Sequence, residues 1–306
     1  MGDDLNEALL TMSDLPENCL SRVLELTTPK DVCRVSVLCR ALKFAGNSNC
    51  VWEKMLPPHH RDLLARACNP LQFNSKKELY FSLCEPVSID KGTKKFWLDK
   101  ATGKACFMLS PRDLAITWGG DDRYWHWISR DGSSSFEDIA ELIAVCWFEV
   151  QGVFDCKLLS PGIAYTVSFK LKLNGPASNH RRRLGTMIHA FHMNHRSPYG
   201  WDIKPVKFSV TTSWGHQQQS ARFLRNTENP VDNEGYQMTS FRHVGKGWME
   251  FDAGEFFVEE NEDGPKEVKF YMNELIGGDW KGGLLLEGVK IQPSYLVTER
   301  HNVREE

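Results

Sequence analysis

No stretch of eighteen consecutive apolar residues occurs in the 306-residue chain, so no segment is suited to cross a bilayer as a helix. Charge of one sign is also missing: 37 Lys and Arg oppose 40 Asp and Glu, a formal net charge of -3. That near balance removes the electrostatic argument for nucleic acid or an anionic membrane as partner. The nine cysteines include no C-x-x-C pair, and their odd number predicts reduced thiols, several of them buried. No Asn-x-Ser/Thr acceptor site occurs. The first residues, Met1-Gly-Asp-Asp-Leu-Asn6, are acidic and lack both the apolar core of a signal peptide and the Ser or Thr of a myristoylation motif. Together these absences predict a soluble protein of the nucleus and cytoplasm, with no cofactor, metal, membrane or nucleic-acid partner.

What is present divides into two grammars. Residues 12–57 read as three short amphipathic helices. Asp14-Leu-Pro-Glu17 is a helix start with a cap and a proline in the first turn, after which Cys19, Leu20, Val23 and Leu24 fall on one stripe. Thr28-Pro-Lys-Asp31 starts a second helix with Val32, Val35, Cys39 and Leu42 on its apolar side. A third carries Val51, Trp52, Met55 and Leu56 and stops at Pro57-Pro58. So small a bundle leaves apolar surface uncovered, which marks a binding face unless the helices dock on the following domain. Residues 58–86 read as a helical connector, with Ser75 and Glu78 forming a capping box and His59-His60 expected to be solvated.

From residue 87 to 293 the period changes to two. Tyr165-Thr-Val-Ser-Phe-Lys-Leu-Lys-Leu173 alternates without error, Val206, Phe208 and Val210 repeat the pattern, and so do Val268, Phe270 and Met272. Ala101-Thr-Gly-Lys104 is a hairpin turn between two apolar runs, and Leu284 to Ile291 is a final strand. The expected architecture is an α+β multidomain chain: an acidic tail (1–11), a small helical unit, a connector, an antiparallel jelly-roll-like β-sandwich, and a C-terminal tail (294–306).

The richest stretch is Arg112-Asp-Leu-Ala-Ile-Thr-Trp118 with Tyr124-Trp-His-Trp127 beyond a turn of Gly119, Gly120, Asp121 and Asp122. Two readings of its aromatics stand. They fill a core, or some of them lie flat at a polar rim, where an indole covers the C–H face of a pyranose and carboxylates accept its hydroxyls.

These residues, with Val145-Cys-Trp-Phe-Glu-Val-Gln-Gly152, Gly247-Trp-Met-Glu-Phe-Asp-Ala-Gly-Glu-Phe-Phe257 and Trp280-Lys-Gly-Gly-Leu-Leu-Leu-Glu-Gly-Val-Lys-Ile-Gln-Pro293, resemble the phloem-lectin (Nictaba-type) domain. The front end resembles an F-box, on Leu15-Pro16, Leu20, Val23-Leu24, Pro29 to Arg40 and Trp52. The whole chain is similar to plant F-box proteins that carry a phloem-lectin domain. The resemblance implies a non-catalytic adaptor of a Skp–cullin–F-box ubiquitin ligase, recognising N-acetylglucosamine-containing glycans or glycoproteins. It implies carbohydrate contact at Trp118, Trp125, Glu250 and Glu255. It implies contact with the Skp-type linker subunit of the cullin scaffold at Leu15, Pro16, Leu20, Val23, Leu24, Val32 and Val35, while Trp52 binds that partner or holds the helices together.

Other readings compete. The sandwich could recognise a polypeptide, with a vestigial sugar site. Glu250 and Glu255 could form a glycosidase pair, although an odd offset turns them to opposite faces unless Gly254 marks a bulge. His189, His192 and His195 lack a completing carboxylate or Cys nearby and read as ordinary polar residues rather than metal ligands. Arg181 to Arg183 read most simply as a solvated loop.

Overall fold

The computed structural model describes residues 15–129, 135–173, 198–225, 237–259, 266–276 and 278–297. The N-terminal tail, the Asp14 cap, Asp131–Ser134 of the loop after Ser129, the arginine run, the three clustered histidines and the end of the C-terminal tail lie outside the described residues. Two compact units emerge. One holds the chain up to Val87 together with Phe96–Ala105; the other holds Ser88–Lys95 and the chain from Cys106 onward.

The first unit has six short helices: α1 (Glu17–Leu24), α2 (Pro29–Val35), α3 (Arg40–Ala45), α4 (Asn49–Met55), α5 (His60–Ala65) and α6 (Lys76–Leu83). Thr28 caps α2 through a bond from Asp31 N, and Ser75 caps α6 through a bond from Glu78 N, as their sequences require. The expected second helix is two. Cys39 adopts an extended backbone (φ -154°) and its Sγ accepts from Leu42 N, which ends one helix and starts the next. Trp52 is fully buried, donates its indole N–H to Gly46 O at 2.7 Å and packs on Tyr80 and Phe81. It therefore joins α4 to α6, and the connector helix is part of this unit's core. The Tyr80 hydroxyl lies 3.2 Å from both Asp99 O and Lys100 O, which brings in the 99–104 turn, where Gly103 has a φ of +72°. His60 is buried, with Nδ1 donating to Pro57 O at 2.9 Å, contrary to its expected solvation.

The strands are β1 (Val87–Ile89), β2 (Lys94–Leu98), β3 (Ala105–Leu109), β4 (Ala115–Ile116), β5 (Trp125–Ser129), β6 (Asp138–Leu142), β7 (Phe148–Asp155) and β8 (Ile163–Leu173). They continue as β9 (Val206–Thr212), β10 (Gln217–Arg222), β11 (Gln237–Met238), β12 (Phe241–Gly245), β13 (Trp248–Val258), β14 (Glu267–Glu274) and β15 (Leu284–Pro293). In the second unit one sheet runs β3-β15-β8-β13-β12, with β6 also on β15 and β5 on β6; the other runs β11-β10-β9-β14-β7-β4. Pairing is antiparallel apart from β10 with β11.

The inward residues are those the alternation selects. Phe169 of β8 packs edge-on to Phe208 and Phe270, and Phe251 of β13 stacks on Phe208, so rings of both sheets interlock. Three register shifts mark the larger sheet, one of them between His243 and Gly245 of β12. At Gly288 (φ +144°) a Cβ would lie 2.0 Å from Leu109 O, so only glycine fits. A further one falls between Asp252 and Gly254 in β13.

Candidate functional site

β4 runs beside β7, with Ile116 opposite Val150. The pairing continues one step further, since Thr117 N donates to Glu149 O at 3.1 Å and Thr117 Oγ1 donates to Glu149 Oε2 at 3.1 Å. Trp118 then turns into the left-handed region, φ +63°. A bulky residue rarely adopts that conformation, so the surrounding contacts must hold it. They do. Gly119 N donates to Ile116 O and Asp121 N to Trp118 O. The Trp125 and Trp127 indoles donate to Thr117 O at 3.1 Å and Gly119 O at 2.9 Å. The loop is thus clamped on both sides of Trp118, whose own ring stays 53 % exposed and leans toward Tyr124, 5.7 Å away.

Around it stand charged groups of fixed position. Arg123 pairs with Asp121 at 2.6 Å and lies over the Tyr124 ring; its guanidinium holds the Asp121 carboxyl below the ordinary value. Arg112 stacks 3.6 Å above the Trp127 ring and pairs with Asp138. A preset aromatic face beside carboxylates and donors is suited to a polyhydroxylated ligand.

Trp125 does not share this role. It is 1 % exposed, stacks on Phe148 and uses its N–H inside the loop, so no face is open to a sugar. This corrects its expected place in the carbohydrate site: its work is to fix the loop that presents Trp118.

Glu250 is equally enclosed. Arg242 of β12 donates Nε to Glu250 Oε2 at 2.9 Å, Nη1 to Asp252 Oδ1 at 2.6 Å and Nη2 to Ser168 Oγ at 3.0 Å, and Lys290 reaches the other Glu250 oxygen at 3.3 Å. Burial pushes the Glu250 carboxyl up, but Lys290 and Arg242 outweigh it and leave the group below its ordinary value. At Asp252 burial wins and the carboxyl sits above its ordinary value. Glu250 is an ionised member of a buried network and not a sugar contact, a second correction.

Glu255 is exposed, and accepts from Thr166 Oγ1 at 3.1 Å while its backbone engages Gln218 and His216. The β13 bulge does turn Glu250 and Glu255 to one face, opposite Lys170 and Thr166 of β8. Four residues of strand put them about 13 Å apart, beyond the roughly 5–10 Å of glycosidase pairs. Nor does Glu255 approach Trp118. The loop end lies level with Leu284 through Trp125 and Leu142, whereas Glu255 lies level with Gln292 through Thr166. Seven residues of β8, Thr166 to Leu173, separate those levels, about 23 Å. The four expected carbohydrate residues do not converge; Trp118 is the one at an open site.

In the helical unit the expected partner residues divide. Leu15, Pro16 and Val23 are exposed and Val35 is half-buried, while Leu20, Leu24 and Val32 form the core and cannot meet a partner without unfolding. Four exposed residues escaped the helical periodicity: Leu26, Val37 (83 % exposed), Leu38 and Phe44. Leu26, Val37 and Leu38 lie in the turns after α1 and α2, where a 3.6-residue period says nothing; two adjacent apolar residues in a turn were the available signal. Among the described residues no group of His, Cys, Asp and Glu is placed to hold a metal ion.

The Phloem protein 2 family matches residues 104–293, and the F-box domain matches residues 12–54. Similar Arabidopsis thaliana proteins include F-box protein At2g02240, 39 % identical over 92 % of this chain and 79 % of its own length. F-box protein PP2-B1 is 32 % identical over 91 % and 89 %, and F-box protein PP2-A15 is 34 % identical over 92 % and 88 %. A solved family 35 carbohydrate binding module from Clostridium thermocellum aligns with a TM-score of 0.28 and 10 % identity over 61 % of this chain and 98 % of that one, too slight a likeness to carry an argument. A Phloem protein 2 match over most of the chain, an F-box before it, and relatives matched over nearly their whole length place this chain in the Phloem protein 2 family, among its F-box proteins.

Proposed function

We propose that the protein is a non-catalytic substrate-recognition adaptor of a Skp–cullin–F-box ubiquitin ligase that reads N-acetylglucosamine-containing glycans or glycoproteins through Trp118. The observation that carries this reading is the exposed indole on a strained loop pinned by two other indoles: the fold holds open an aromatic face it does not need for packing. The exposed apolar residues Leu15, Val23, Leu26, Val37, Leu38 and Phe44 support a Skp-type partner on the helical unit. The adaptor contributes proximity, raising the local concentration of a client lysine near the loaded ligase. It acts in the nucleus and cytoplasm, a reducing setting in keeping with nine free cysteines.

Covering one sugar face on Trp118 removes about 100 Å² of apolar surface from water, worth about 2–3 kcal/mol. A dissociation constant of about 1 mM needs about 4 kcal/mol, so a single sugar binds more weakly than that and useful affinity requires an oligosaccharide or a carrier protein. A second reading, recognition of a polypeptide, draws support from the exposed Ile203, Leu275 and Ile276. A glycan array on the full chain and on Trp118→Ala separates the two. Glycan binding lost in the variant supports the sugar reading; glycan binding that survives it removes Trp118 from the site, and no glycan binding by either leaves the polypeptide reading.

A further inference from the structure

Trp147 lies just before β7 and is 56 % exposed, although its neighbours Val145 and Phe148 are buried. Its backbone is held from within. Val145 and Lys281 form an antiparallel bridge, N to O at 3.0 Å and 2.9 Å. The Lys281 ammonium, itself 1 % exposed on its side chain, pairs with Glu274 and donates to the carbonyls of Asp279 at 2.9 Å and Cys146 at 3.5 Å. A buried lysine thus anchors the carbonyl immediately ahead of an exposed indole.

The placement relative to Trp118 follows from strand pairing. Thr117 and Glu149 are bonded through both backbone and side chain. Trp118 is one residue beyond Thr117 and Trp147 two residues before Glu149, so both residues stand at the same end of one β4–β7 ladder. Glu149 shares the outward parity of Trp147, and its partner across β14 is Asn273. Glu149 and Asn273 put a carboxylate and an amide on the strand face that Trp147 shares, an acceptor and a donor for hydroxyl and acetamido groups.

We propose that Trp147 is a second stacking platform, taking a further unit of the same N-acetylhexosamine oligosaccharide whose first unit rests on Trp118. The inference depends on the sugar reading given above. It gives an oligosaccharide a second aromatic face, which Trp125, being sealed, does not supply.

The test is calorimetric titration of the full chain with N-acetylglucosamine and its β-1,4-linked dimer, trimer and tetramer. Wild type should gain about tenfold or more in affinity from the shortest to the longest ligand. Trp147→Ala should bind the monosaccharide like wild type but lose most of the gain with length, and Trp147→Phe should keep part of it. Trp118→Ala should weaken every ligand. A full gain with length in Trp147→Ala overturns this inference and leaves the Trp118 site standing. No binding of any oligomer by wild type overturns the sugar reading and this inference together.

Discussion

Trp118 and Trp125, seven residues apart, have opposite tasks, since one indole is left in water and the other is sealed. Trp125→Ala empties a fully packed site and also frees Thr117 O; it should cost about 3–5 kcal/mol in urea unfolding. Trp118→Ala removes a ring that packs on little, so unfolding should move by no more than about 0.5 kcal/mol while sugar binding is lost. The converse pattern would reverse the assignment. Strand alternation read from sequence could group Trp125 with Trp127. It could not tell which tryptophan near the turn is outside, because that depends on the positive φ at Trp118. The charge network is similar. Glu250 was legible as a motif residue, but its partners, Arg242 across the β12–β13 hairpin and Lys290 on β15, meet it only through register. Arg242→Ala should cost about 3–5 kcal/mol near neutral pH, since it strips the buried Asp252 carboxyl of its cation and leaves Glu250 with Lys290 alone. Asp252 already sits above its ordinary value and would rise further. A raised acid stabilises below its unfolded pKa and loses that as pH rises, so the deficit of the variant should shrink between about pH 7 and pH 4. A deficit independent of pH would contradict this account.

Among the elements, the strands were the most readable part. β9 and β14 follow the alternation in burial as well as in sequence, because each has one face on the core and one outside it, whereas β15 and the middle of β8 are buried on both faces. The bulges escaped pattern reading, except as the condition placed on Gly254. At the β15 bulge, Gly288→Ala should destabilise the sandwich by at least about 1–3 kcal/mol, since the added methyl meets a backbone carbonyl, which a urea titration would show. The short helices were harder. Their starts were legible from Thr28 and Ser75, but the break at Cys39 was not, since it rests on a thiol cap and an extended backbone. The amphipathic stripe of α1 reads as one partner face, but its Leu20 and Leu24 face the core while Cys19 and Val23 are exposed. Leu20→Asp should therefore unfold the helical unit, whereas Val23→Asp should leave helical circular dichroism intact and abolish pull-down of the Skp-type subunit. Retained pull-down with Val23→Asp would remove α1 from the interface.

The molecule as a whole joins a helical unit with bare apolar residues to a sandwich with a bare, clamped indole. The two-part order was legible from the change of period near residue 87. The detailed division was not, because the 96–105 hairpin belongs with the helices through Tyr80 and the Asp99 and Lys100 carbonyls. An adaptor must hold both partners at once, and the most direct measurement asks whether it does. A resin bearing β-1,4-linked N-acetylglucosamine oligomers is loaded with this chain and then offered purified Skp-type subunit. The account predicts retention of the subunit with wild type, loss of both proteins with Trp118→Ala, and retention of the chain alone with Val23→Asp. Subunit held equally by the resin with Trp118→Ala in place of wild type would contradict it.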